Sequence, residues 1–112
     1  MRIHTDHNGL AVNAISQLED GTDVEGHRYT VLAGPSTMFI DFQRGPVKEN
    51  GVNGLTNEAM ISILIHRLGL LNGKMPCVEN EDALAHLELA LHALESRTQS
   101  RIARGVEGRE VA

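Results

Sequence analysis

In "ESRTQSRIARG", residues 95–105, Arg97, Arg101 and Arg104 stand three and four positions apart. At about 100° per residue, a helix gathers all three into one sector, and that sector borders the neighbouring leucine stripe instead of opposing it. Guanidinium groups at such a border are partly desolvated, and their planar fork matches phosphate oxygens bidentately. The same spacing also describes cations that complement the negative end of a helix dipole while their heads stay in water. Spacing alone leaves an anion clamp and a solvated face both open. The charges upstream add a second pattern. From Val78 to Ser96 the charged residues are Glu79, Glu81, Asp82, Glu88 and Glu95, all acidic, whereas from Arg97 to Arg104 all are basic. Two copies packed antiparallel would set acidic ends against basic ends, as a two-fold interface requires. A lone helix obeying its own dipole satisfies the same layout.

Other chemistry-bearing residues are sparser. "ENGVNGLTNEA" puts Gly51 and Gly54 ahead of a helix start, where backbone N–H groups can cradle phosphate. The glycine spacing matches neither the P-loop nor the dinucleotide fingerprint, and a turn followed by a helix cap is the simpler reading. "HTDH" opens the chain with a histidine pair, but no further His or Cys at metal spacing supports it. His86 and His92, six apart, point in different directions on a helix. Cys77 follows Pro76 with no basic neighbour, and no nucleophile motif or paired acid–base carboxylates occur. The expectation is a binding protein without catalysis, metal or cofactor.

The elements that must position these residues are modest. A chain of 112 residues supports one small domain, with a β-rich part and connector over 1–54 and a helical part over 55–112. Tyr29, Phe39 and Phe42 are its aromatics, so aliphatic side chains do most of the packing, and a thin core favours oligomerisation. A net charge of −5 disfavours long nucleic acid and anionic membrane as partners, yet leaves room for a small anion in a local basic pocket. One cysteine permits no intrachain disulfide, no charged-then-apolar leader opens the chain, and "AMISILIHRLGLL" is too short to span a bilayer. These features predict a soluble cytosolic protein.

"HRYTVLA" (27–33) and "TMFIDFQ" (37–43) read as strands joined by the turn "GPS", while "LAVNAISQL" reads as strand or short helix, with strand favoured. "RGPVKENGVNG" reads as an irregular connector. Beyond Gly54 the period turns helical. Thr56 or Asn57 caps a first helix, Glu58 sits in its first turn, and Gly69 or Gly73 ends it. Its apolar face is Met60, Ile61, Leu64, Ile65 and Leu68, widened by Ile63. A second helix begins near Asn80, carries Leu84, Leu87, Leu91, Leu94 and Thr98 as its stripe, and stops at Gly105. The fold class is α+β, a small N-terminal antiparallel β-sheet followed by a C-terminal antiparallel helical hairpin.

"GPVKENGVNG", followed by "TNEA", and "RTQSRIARGVEG" carry a more specific signal. From about Phe39 onward the chain resembles the phage Thoeris anti-defence protein 1 family, with little match before Tyr29. Its second half also resembles the hairpin of a phage anti-CBASS sponge. The resemblance implies a protein that sequesters, without cleaving, a cyclic nucleotide signal made by bacterial immune enzymes. The implied ligand is a cyclic ADP-ribose isomer such as glycocyclic ADP-ribose. Some family members have a second class of pocket for cyclic oligonucleotides. It further implies homodimers that assemble into hexamers, acting in the cytoplasm of the infected bacterial host. By the same resemblance, Arg97 and Arg101 contact phosphate, with Arg104 in reserve, and Asn80 hydrogen-bonds the ligand. The family places a base-stacking aromatic in the loop before the second helix, where this chain has Leu70 or Leu71. Leucine packs on a purine without the π-face that strengthens stacking. Lys48, Asn50 and Asn53 in the connector are the candidate second pocket or oligomer contact.

Geometry bears on this resemblance. Asn80 and Arg97 lie seventeen residues apart on one helix, about 25 Å at 1.5 Å per residue. A small dinucleotide touches both only if two chains pack antiparallel, the orientation the split charge pattern favours. The clamp is therefore preferred to the solvated face. The alternatives are a sponge for cyclic di- or trinucleotides, a hairpin that serves only assembly, and a hydrolase of the same signals.

Overall fold

A computed structural model describes residues 1–107 and 109. It divides into two compact units, Met1–Leu55 and a second from Thr56 onward, and its architecture is α+β.

The first unit is an antiparallel meander in the order β1 (Arg2–Thr5), β2 (Ala11–Gln17), β3 (Asp23–Ala33) and β4 (Ser36–Asp41). Short polar turns explain that order. At the first turn, Asp6 Oδ1 accepts from the N–H groups of Asn8 and Leu10. At the second, Asp20 Oδ1 accepts from the Thr22 N–H at 2.9 Å and its hydroxyl at 2.6 Å. Those two donors, the hydroxyl foremost, hold the Asp20 carboxyl below its ordinary range. The third turn pairs Ala33 with Ser36 across Gly34 and Pro35, and Gly34 takes a φ of 60° that such a tight hairpin needs. "LAVNAISQL" is a strand, as favoured. The strand β1 was not legible, because "RIHT" is short, exposed throughout and lacks apolar alternation. Ala11 and Val24 are the buried hydrophobic residues, and Tyr29 meets the Phe42 ring edge-on at 5.9 Å.

The connector is more ordered than its glycines suggest. It contains a single helical turn, α1 (Val47–Asn50), started by Pro46. Two amides close the loop. Gln43 donates to the carbonyls of Gly45 and Gly51 and accepts from the Asn53 N–H. Asn53 exchanges hydrogen bonds with the backbone N–H and C=O of Arg44. The chain then returns beside Phe42, with Leu55 N–H donating to Asp41 O and Gln43 N–H donating to Leu55 O. Gly54 is required at this close approach, since a Cβ there would lie 2.6 Å from the Phe42 carbonyl carbon.

In the second unit, α2 (Asn57–Lys74) and α3 (Val78–Ala103) pack as a helical hairpin. The cap of α2 is Thr56, whose Oγ1 accepts from the Ala59 N–H. Of the two expected stops, Gly69 is overturned, because α2 continues through it and ends at Lys74, one residue beyond Gly73. Neither glycine adopts positive φ, and the roughly 1 kcal/mol cost of each is outweighed by continuous hydrogen bonding and packing on α3. A three-residue link follows. Cys77 donates its N–H to Asn72 Oδ1 and its Sγ accepts from the Asn80 N–H, so α3 begins two residues earlier than expected. The predicted stripe of α3 is its half-buried set, Leu84, Leu87, Leu91, Leu94 and Thr98. On α2, by contrast, Ile63 is exposed and Leu64, at the edge of the face toward α3, is only partly covered. α3 ends as read from Gly105, in a Schellman turn: Val106 N–H donates to Arg101 O, Gly105 N–H to Ile102 O, and Gly105 takes φ 73°.

Candidate anion-binding helix

The candidate ligand residues on α3 differ sharply in their surroundings. Arg97 is exposed, Asn80 half-buried in the first turn, and neither side chain makes a hydrogen bond among the described residues. Arg104 caps the helix C-terminus and is exposed. Arg101 is 4% exposed and is the buried charged residue of the described chain. Its Nε donates to Glu107 Oε2 at 3.0 Å, and its Nη2 donates to the carbonyls of Val106 at 2.9 Å and Arg109 at 2.6 Å. The partial desolvation expected of all three arginines at the border of the leucine stripe is near-complete burial at Arg101, whereas Arg97 and Arg104 are exposed. The Schellman turn brings Val106, Glu107 and Arg109 back over its side chain, a consequence of one glycine that helical spacing cannot show.

Leu70 and Leu71 also differ from expectation, because both lie within α2 and not in the interhelical loop. Leu71 lines a shallow apolar groove of about 140 Å³ with Leu64, Arg67, Leu68 and Leu87. Leu70 is absent from that groove and 59% exposed. Asn80 and Arg97 remain at separate places along α3, as their spacing dictates.

The second unit has no fully buried hydrophobic residue among those described, while Ile63, Leu64, Leu70, Leu71, Val78 and Leu89 are exposed. Two helices each present one face to the other and leave the remainder uncovered. Leu89 lies opposite the leucine stripe and is 67% exposed.

In the first unit, Leu18, Val24, Arg28, Asp41, Phe42, Arg44 and Asn53 line a cavity of about 250 Å³. Arg28 stands 4.8 Å over the Phe39 ring, and its Nε lies 3.3 Å from Asp41 Oδ1 without hydrogen-bond alignment. Of the three connector candidates, Asn53 reaches this cavity, and Lys48 and Asn50 are not in its lining. The Asn50 amide donates to Pro46 O within its own helical turn. The sequence reading missed Arg28 and Arg44 because the strand pairing and loop closure that join them are non-local. Among the described residues, no group of three or more His, Cys, Asp or Glu side chains is placed to hold a metal ion, and no helix is long and apolar enough to cross a membrane.

Comparison with known proteins gives this arrangement a family. Residues 35–99 match the family model described as "Acb2/Tad1, hairpin domain". That span takes in β4, the connector, α2 and α3 through Gln99, so that it includes Arg97 and ends before Arg101. The chain is also 47% identical over 116 aligned positions to "Thoeris anti-defense 1" from Bacillus phage SBSphiJ7, an alignment covering 96% of this chain and 81% of the relative. The similarity therefore extends into the strands before Tyr29, further than the quoted motifs indicated. With more than half its length inside the family model and this identity across nearly all of it, the chain belongs to the Acb2/Tad1 hairpin family.

Proposed function

We propose that the protein is a non-enzymatic anti-defence sponge that captures a cyclic ADP-ribose isomer in the cytoplasm of an infected bacterium. The name of the phage relative supports the anti-defence role. The observation that carries the binding role is on α3: Asn80 and Arg97 keep unengaged polar groups at sites about 25 Å apart along the axis. In an antiparallel dimer the Asn80 end of one helix meets the Arg97 end of the other, and one ligand contacts both chains. The uncovered apolar face of the hairpin supplies a driving force for that association. Arg97 and Arg101 would hold the pyrophosphate, Arg104 would strengthen the local positive field, and Leu70 would cover a base.

A second reading, capture of a cyclic di- or trinucleotide, is favoured by the cavity that Arg28 and Arg44 line in the first unit. The experiment is to incubate the protein with each signal, remove free ligand, and denature the complex by heat. Recovery of intact cyclic ADP-ribose isomer supports the sponge, and recovery of cyclic oligonucleotide alone supports the second reading. Cleaved ligand indicates an enzyme. No uptake leaves only assembly through the hairpin.

A further inference from the structure

Arg101 already holds an anion, and that anion is its own chain. Three oxygens surround the guanidinium: Glu107 Oε2 on Nε, and the carbonyls of Val106 and Arg109 on Nη2. The Nε–Nη2 edge is one that a phosphate would grip with two parallel bonds, and it is filled. Nη1 is buried and has no partner among the described residues, so no open edge remains. A ligand phosphate reaches this side chain only by displacing Glu107 and the carbonyls of Val106 and Arg109.

We propose that Glu107 is a built-in competitor, a carboxylate that occupies the Arg101 fork until a ligand phosphate replaces it. The inference rests on the assignment of Arg101 to ligand phosphate. The construction suits reversible release. Glu107 is 43% exposed, so its ion pair is screened and weak. Gly105 at φ 73° supplies the hinge. Arg97, one helical turn before Arg101 and exposed, is free to engage a pyrophosphate first and bring its second phosphate against the latch. When the competent form is a minor population, the apparent dissociation constant of every ligand rises by the same factor. The latch therefore weakens all such anions alike, and only a ligand whose intrinsic grip on both arginines is strong retains useful affinity.

The test titrates inorganic pyrophosphate and cyclic ADP-ribose into the wild type and Glu107→Gln by calorimetry, and follows amide hydrogen exchange at Val106 and Arg109. Glu107→Gln should tighten both ligands by the same factor, about fivefold, which corresponds to about 1 kcal/mol. Either ligand should speed exchange at Val106 and Arg109 in the wild type. Gly105→Ala, strained at positive φ, should act in the same direction as Glu107→Gln. Unchanged or weaker binding by Glu107→Gln, or slower exchange at these amides on binding, overturns the latch. Failure of cyclic ADP-ribose isomers to bind would count against the proposed function alone. Pyrophosphate would still decide the latch: accelerated exchange supports it, and no effect on exchange or on variant affinity rejects it.

Discussion

Arg97 and Arg101 lie one helical turn apart and are assigned the same ligand, yet truncating them should have different effects on stability. Arg101→Ala removes a side chain that is 5% exposed, with one bond to a carboxylate and two to carbonyls. Hydrogen bonds to a charged group contribute about 1.5–3 kcal/mol each when buried. Here the acceptors sit on a surface turn that water can reach once the arginine is gone, and the pair with the half-exposed Glu107, screened on that side, contributes about 1 kcal/mol. The net loss should be about 2–3 kcal/mol, which for a domain of this size lowers the melting temperature by on the order of 10 °C. Arg97 is exposed and makes no such bonds, so Arg97→Ala should stay within about 0.5 kcal/mol of the parent. Both variants should lose ligand capture. Thermal unfolding of ligand-free protein at one fixed concentration, which holds dimerisation constant, separates the two effects when paired with ligand depletion. Arg101→Ala melting within about 2 °C of the parent would refute the buried-arginine account. Variants that both melt as expected and still deplete the signal would refute the clamp.

Leu70→Phe should tighten a base-containing ligand by about 1–3 kcal/mol through stacking, whereas Leu71→Phe should gain less, because Leu71 lies in the groove against Leu64, Leu68 and Leu87. Calorimetry showing no gain for Leu70→Phe would remove this helix face from the ligand site. Gly54→Ala should destabilise by more than about 3 kcal/mol, since its Cβ would overlap the Phe42 and Asp41 backbone. Gly69→Ala and Gly73→Ala, with open space and helical geometry, should each stabilise by about 0.5–1 kcal/mol. Chemical denaturation of the three variants checks the contrast, and equal effects would contradict it. Sedimentation at micromolar concentration should show at least a dimer, and a lone 12.2 kDa species would exclude assembly through the exposed hairpin face.

Much of the scaffold was legible because its determinants are local. Thr56 before an acidic first turn, the leucine spacing from Leu84 to Leu94, Gly34 in the hairpin and Gly105 after the last helical turn each act through neighbours a few residues away. Periodicity and cap chemistry therefore identify them. The seventeen-residue separation of Asn80 from Arg97 is likewise a property of the sequence once a helix is granted. Local signals misled at Gly69, where tertiary packing carried α2 past a breaker and drew Leu70 and Leu71 out of the loop. They were silent on Gly54, whose necessity comes from a backbone twelve residues away. Only the folded chain decided that Arg28, Asp41 and Asn53 line one cavity, since strand register and loop closure join them. The tertiary structure also separated the arginines. Spacing treats Arg97 and Arg101 as equivalent, but the turn beginning at Gly105 lays Glu107 and two carbonyls across one and leaves the other in water, because a carboxylate six residues on meets it only when the chain reverses.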